Sequence, residues 1–261
     1  MKKLAIASAL LSAVALTTGT AAHAYQAEVG ASLGYIDPDH GSSGSSYGLK
    51  GTYYLEPVQV RDSPLAEAAF LDRASNVSVG VNYDDADRSD ELVYGVEAEY
   101  FVPNSKFYVS GELSRSEVSE SGRSDTDTTL FGAEVGYLLA PGLLVAAGLT
   151  GYDNKYHDGV DPTIRAKYVT KLPTTGKDIN FEGGASFGDL DEYFLGVDYY
   201  LDKTLSIGGD YYDNDLANTS EFGIKARKFI DPQLSVEGRI GFGEIGSNDY
   251  NKFALAAKYR F

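Results

Sequence analysis

Lys252-Phe253-Ala254-Leu255-Ala256-Ala257-Lys258-Tyr259-Arg260-Phe261, the last ten residues of the chain, alternate with a period of two. Phe253, Leu255, Ala257, Tyr259 and Phe261 fall on one face, apolar with an aromatic at each end. Lys252, Lys258 and Arg260 share the other face with two alanines. A helix would mix the two sets around its circumference, whereas a strand separates them. The segment therefore reads as an amphipathic β-strand that ends aromatic-x-Phe.

The same rhythm runs backwards through the chain. Tyr25, Ala27, Val29, Ala31, Leu33 and Tyr35 alternate with Gln26, Glu28, Gly30, Ser32 and Gly34, and Tyr47, Leu49, Gly51, Tyr53 and Leu55 alternate with Gly48, Lys50, Thr52 and Tyr54. Further apolar rows lie at 77–83, 94–100, 107–113, 131–137, 143–149, 164–168, 181–187, 193–199, 205–211, 222–226 and 234–240. With the terminal segment this makes about fourteen strands, an even number. The spacing predicts an all-β chain, a transmembrane antiparallel up-and-down β-barrel.

The connections alternate in kind. Residues 102–105, 139–142, 172–176, 201–204 and 230–233 read as tight turns, rich in Pro, Gly, Asn and Asp. Between them, 37–45, 84–91, 116–127, 153–161, 213–220 and 243–249 read as longer acidic loops. Short turns at one end and longer polar loops at the other are the layout of an outer-membrane barrel. The connection 56–75 departs from it. It lies on the short-turn side, contains Pro57 and Pro64, and carries the helix-like run Leu65-Ala66-Glu67-Ala68-Ala69-Phe70-Leu71, so a short helix or a structured periplasmic segment is expected there.

Which face points outward follows from the cost of charge in lipid, several kcal/mol per group. The polar rows carry Glu97, Glu99, Glu112, Glu134, Glu182, Asp198, Asp210 and Glu237 together with Lys50, Arg165, Lys167, Lys225, Arg227, Arg239, Lys252, Lys258 and Arg260. These belong in a water-filled lumen. Gly30, Gly48, Gly80, Gly95, Gly132 and Gly136 on the same rows leave it room. Fourteen strands lie between barrels that their own side chains fill and barrels with wide channels, so a narrow aqueous path is expected. Acids dominate the fourth, fifth, sixth, ninth and tenth strands and bases the eighth and the twelfth to fourteenth. Such charges either set a transverse field across the lumen or pair and hold the wall closed.

The amino terminus reads as a secretory signal. Lys2 and Lys3 precede an apolar stretch from Leu4 to Leu16, and Ala22-His23-Ala24 fits cleavage after Ala24. Residues 1–24 are then a signal peptide and 25–261 the barrel. Losing Lys2 and Lys3 takes the formal charge from -16 to -18. An acidic chain with 22 Lys+Arg against 38 Asp+Glu is no nucleic-acid binder. With 0 Cys it has neither disulfides nor thiolate metal sites. Two histidines, His40 and His157, remain beyond the signal, too few for a multi-histidine metal centre. The excess acid falls mainly in the loops, for example Asp84-Asp85-Ala86-Asp87, and should concentrate cations at the mouth. No metal ligands, cofactor or catalytic residues are assigned.

Other motifs fail on context. Gly241-Phe242-Gly243-Glu244-Ile245-Gly246 spells a dinucleotide fingerprint but is followed by a loop and a strand, with no helix N-terminus to face a phosphate. Asp213, Asp215 and Glu221 faintly resemble a calcium loop, yet Asn218 and Ile224 occupy its glycine and bidentate-glutamate positions. A barrel protease would need acids and a His-Asp pair at the loop ends, and Asp84-Asp85 with His157-Asp158 supply the residue types. A barrel that acts as an adhesin or a structural element is a third class, against which the modest loops argue.

Gly51-Thr52-Tyr53-Tyr54-Leu55-Glu56-Pro57-Val58 and then Pro64-Leu65-Ala66-Glu67-Ala68-Ala69-Phe70-Leu71 resemble the opening of the putative general bacterial porin family of gammaproteobacteria. The resemblance implies an outer-membrane porin, passing small hydrophilic solutes and ions passively, in contact with outer-membrane lipid and lipopolysaccharide. Tyr259 and Phe261 resemble the C-terminal signal that the barrel-assembly machinery reads. Trimeric general porins narrow their channel with a long inward-folded third loop, and no such loop is evident here.

Overall fold

The computed structural model describes residues 24–87, 89–122, 125–189, 191–215 and 218–261. The signal over 1–24 lies outside the described residues except for Ala24, the first residue of β1. The first seven strands are β1 (Ala24–Pro38), β2 (Gly44–Gln59), β3 (Asn76–Ala86), β4 (Ser89–Phe101), β5 (Phe107–Glu120), β6 (Thr126–Ala140) and β7 (Leu143–Asn154). The second seven are β8 (Asp158–Lys171), β9 (Asp178–Ser186), β10 (Glu192–Asp202), β11 (Leu205–Asn214), β12 (Thr219–Phe229), β13 (Leu234–Ile245) and β14 (Asn248–Arg260). Each pairs antiparallel with the next, and β14 pairs back onto β1 to close the barrel. Closure removes the exposed sheet edges and satisfies the ladder hydrogen bonds internally, the condition for strands in hydrocarbon. Phe261 completes the seam, its N–H donating to Ala27 O at 3.0 Å while its O accepts from the Gln26 and Ala27 N–H groups.

The apolar rows face out. Leu33, Val135, Leu195, Ile224 and Leu255 are all more than half exposed, the inverse of a soluble core and the surface a bilayer requires. Aromatics mark both ends of the band. Tyr35, Tyr47, Tyr94, Phe222, Phe242 and Phe253 lie towards the loop end, and Tyr53, Tyr100, Phe107, Tyr137 and Tyr259 towards the turn end. Phe107 and Tyr137, opposite each other in register, meet edge to face at 5.3 Å.

One expectation needs correction. The acidic stretches read as long loops are mostly strand: β3 runs through Asp84 and Asp85, which pair in register with Glu91 and Asp90 on β4, and tight tips remain at 39–43, 155–157 and 246–247. Strands such as β2 with 16 residues and β6 with 15 exceed the ~9–11 needed to span a bilayer, so their hairpins continue into water, where both faces tolerate Asp, Ser and Gly. Composition reported solvation, not the end of pairing.

The connection between β2 and β3 holds the short helix expected of it, a 3-10 turn at Leu65–Glu67 followed by one turn of α-helix, α1 (Ala68–Leu71). It is not simply periplasmic, because it folds into the turn end of the barrel. Val58, Pro64, Leu65 and Ala68 are buried, and Ala68 joins Tyr25, Tyr54 and Val58 in an apolar cluster. Phe70 packs on a second cluster of Phe101, Tyr108, Leu138 and Leu144 from the opposite wall. The Leu65 N–H donates to Lys203 O in the β10–β11 turn, and Arg73 donates to Ser105 O in the β4–β5 turn. The segment thus crosses the barrel from wall to wall.

Candidate functional site in the charged lumen

Each inward residue of one strand meets an inward residue of the next in register, so charges on neighbouring strands fall within reach of one another. Where an intervening strand offers only glycine, the reach extends over it. Asp198 on β10 and Lys225 on β12 both lie opposite Gly208 on β11, and their side chains join above it at 3.1 Å. Arg239 on β13 spans Gly223 to bind Asp210 on β11, its Nε donating at 3.1 Å to both carboxylate oxygens. Lys50 on β2 passes Gly80 to reach Glu97 on β4 at 2.9 Å. Arg227 pairs with Glu237, its direct partner in register, at 2.6 Å.

A continuous network strings the remaining groups along the inner wall. Glu99 accepts from Asn76 at 2.9 Å and from the Tyr108 hydroxyl at 2.6 Å. Arg165 donates to the Tyr108 oxygen at 3.1 Å and to Glu134 at 2.8 Å, and lies 3.5 Å from Glu182. Lys167 bridges Glu182 at 3.3 Å and Glu67 at 3.1 Å, and Glu67 accepts from Tyr200 at 2.5 Å. On the other side of the inserted segment, Arg260 binds Glu28 at 2.8 Å, donates to Leu65 O at 2.8 Å and lies over the rings of Tyr25 and Phe229. Lys258 also approaches Glu28, at 3.6 Å. Glu112, opposite Glu97 in register, has no cation within ion-pair distance among the described residues.

The charged residues of the polar rows thus all lie on the face opposite the exposed apolar rows. Of the two readings of their charges, pairing accounts for the observed geometry: the bases of β8 and β12–β14 bind acids one or two strands away. Sequence reasoning missed four members of this lumen, Glu28, Glu67, Tyr108 and Tyr200. Glu28 was legible, since it shares the period-two face of Gly30 and Ser32. Glu67 and Tyr200 are 133 residues apart and carry no local signal. Glu221, which the sequence set in a faint calcium-loop match, is buried in the lumen, where it binds Arg239 and accepts from Tyr250 at 2.8 Å.

Nearer the loop end the inward charges are mostly acids. Asp84 accepts from Asn82 at 2.5 Å, Glu91 from Ser116 at 2.6 Å, and Glu192 from Tyr212 and Asn214 at 3.1 Å each. Asp161 accepts from the Asp189 N–H. Lys252 stands there as a cation, 4.0 Å from Glu221. The protease constellation is not assembled. Asp84 and Asp85 are consecutive strand residues and point to opposite faces, and His157 is exposed at the tip of the β7–β8 hairpin. Among the described residues no group of three or more His, Asp or Glu is arranged to hold a metal ion.

Below this mouth two recesses adjoin, of about 380 and about 260 Å³. Gly30, Lys50, Ser78, Glu97 and Lys258 line both, and Ala66, Glu67 and Phe70 of the inserted segment bound the lower one. The upper recess follows the β1–β5 wall, and the lower one reaches across to Leu144, Arg165, Lys167 and Glu182 of β7–β9. The opposite wall is occupied by the ion pairs of β10–β13.

The closed barrel with a polar interior is shared by solved structures. The outer membrane protein Omp33 of Acinetobacter baumannii superposes with a TM-score of 0.72 at 29% identity, over 92% of this chain and 100% of that one. The CymD monoaromatic hydrocarbon channel gives 0.55 at 10% identity, over 91% of this chain and 89% of that one, a likeness of fold alone. No curated protein sequence matches the chain. Residues 1–162 match the family described as "Putative general bacterial porin". With a barrel turned apolar side out, a charged lumen and more than half of the chain matched, this protein belongs to that porin family of the bacterial outer membrane.

Proposed function

We propose that the chain forms a water-filled channel for passive diffusion of small hydrophilic solutes and ions, with a preference for cations and with no catalytic activity. The observation that carries the reading is the lumen itself. Glycines and charged side chains line two adjoining recesses, a surface that stays hydrated, whereas a packed barrel would fill that space with apolar side chains. The cation preference rests on the inward acids Asp84, Glu91 and Glu192 near the loop end, because the charges deeper in the lumen largely pair off.

Export by a leader removed after Ala24 is part of the same reading, as is recognition of Tyr259 and Phe261 by the barrel-assembly machinery. The rings of Tyr259 and Phe261 lie 6.1 Å apart, stacked at the turn end of the closing strand. The apolar band between the aromatic girdles fits outer-membrane lipid, with lipopolysaccharide against the loop-end hairpins.

Swelling of proteoliposomes in iso-osmotic neutral sugars of increasing size tests the channel. Entry that falls with solute size supports it. Protein-independent swelling at every size refutes it.

A further inference from the structure

Every joint in the closed barrel but one unites strands that are consecutive in the chain; the joint between β1 and β14 unites its two ends. Glu28 and Arg260 face each other across it, 232 residues apart. This seam therefore has the largest loop-closure cost, and no turn keeps its strands together when its ladder opens. Arg260 stands at its turn end with a side chain only 6% exposed. Across the seam it binds Glu28 at 2.8 Å and lies over the ring of Tyr25, both on β1. On its lumen side its Nη1 donates at 2.8 Å to Leu65 O, on the segment inserted between β2 and β3.

Leu65 is thereby tied to two parts of the wall. Its carbonyl accepts from Arg260 on β14, while its N–H donates at 2.9 Å to Lys203 O in the β10–β11 turn. Two residues on, Glu67 accepts from Tyr200 on β10. The segment leaves β2 covalently, so it begins on the β1–β2 side of the seam, where Val58 and Ala68 pack with Tyr25 and Tyr54, and ends anchored on the β10–β14 side. We infer that the inserted segment is a strap that holds the β1–β14 seam shut from within, and that Arg260 is the residue that positions it against both seam strands. Parting β1 from β14 takes Glu28 off an almost fully buried cation and drags the segment, through β2, away from its anchors on β10. Release of the strap and opening of the seam are thus one cooperative event. The inference is independent of whether the lumen conducts.

Hydrogen exchange of the refolded protein in detergent micelles, read by mass spectrometry, tests the strap. Tyr200→Phe removes an anchor on β10, which is neither seam strand. It should speed exchange about threefold or more in the seam stretches 26–36 and 250–260, leaving the β5–β6 hairpin as it was. A cycle of Y200F, R260Q and the double variant in urea unfolding gives a second reading. The two residues do not hydrogen-bond each other and meet only through the segment, so the single losses should fail to multiply by more than about threefold in the unfolding equilibrium constant. Faster exchange in 56–75 alone, with the seam unchanged, overturns the strap, as do losses that multiply. If R260Q does not fold, exchange in Tyr200→Phe decides by itself.

Discussion

Glu67, carried in on the connection between β2 and β3, accepts a hydrogen bond from the Tyr200 hydroxyl on β10 at 2.5 Å while Lys167 on β8 closes on its other oxygen at 3.1 Å. One carboxylate thereby fastens the inserted segment to the far wall of the barrel. Its side chain is almost fully buried, so without it the Tyr200 hydroxyl would lose this acceptor and Lys167 would keep only Glu182, at 3.3 Å.

Glu67→Ala should destabilise the barrel by about 3 kcal/mol, the scale for breaking a buried pair, in urea unfolding of the refolded protein. Glu67→Gln keeps an acceptor for Tyr200 and should cost less. Equal, negligible losses for both would show that the apolar clusters alone hold the segment.

Glycine on the lumen face is needed where ion pairs pass over it. A Cβ at position 208 would lie 2.5 Å from the Val197 carbonyl oxygen, 2.6 Å from Asp198 Oδ1 and 3.0 Å from Lys225 Cε. Gly208→Ala, which by strand propensity alone should stabilise by about 0.5–1 kcal/mol, is expected to destabilise by about 1–3 kcal/mol instead. The sign of the shift in the unfolding midpoint decides between the two.

At the mouth, Asp84 and Glu91 face each other in register with the lumen beneath them. The double variant D84N/E91Q should move the zero-current potential in a salt gradient towards zero, reducing selectivity for the cation. A potential unaltered by the double change would place the filter deeper in the barrel.

Asp62 lies outside the membrane-spanning strands, fully exposed at the turn end. Its carboxyl is held below the usual range first by the hydrogen bond and charge of Lys203 and then by Lys171 at 3.6 Å. A depressed carboxylate contributes stability above its unfolded value, near 3.9, that is lost as pH falls through the folded value. The unfolding midpoints of wild type and Asp62→Asn should therefore differ at neutral pH and converge in acid. A gap that widens on acidification would contradict the assignment.

The fold was legible because period-two alternation is enforced strand by strand: a single slip would turn a row such as Phe253-Leu255-Ala257 into the lumen and Lys258 into lipid. The lumen was legible as a set of charges but not as a set of pairs. Lys225 and Asp198 meet because strand register aligns both with Gly208, and register cannot be counted from alternation alone. The inserted segment was visible as a departure, Pro64 followed by an apolar helical run, yet its depth was not. Val58, Ala68 and Phe70 are buried by partners from distant strands, and nothing local tells a helix outside the turn end from one within it. Asp84 and Asp85 misled in the other direction, since acidic composition above a membrane marks water rather than a loop.

The central claim is that this lumen conducts, and single-channel recording of the refolded protein in a planar bilayer tests it most directly. Discrete, stable openings whose zero-current potential in a salt gradient favours the cation are predicted. A correctly folded barrel that inserts and never conducts would contradict it, and would mean that the segment around Glu67 and the ion pairs of β10–β13 leave no continuous path.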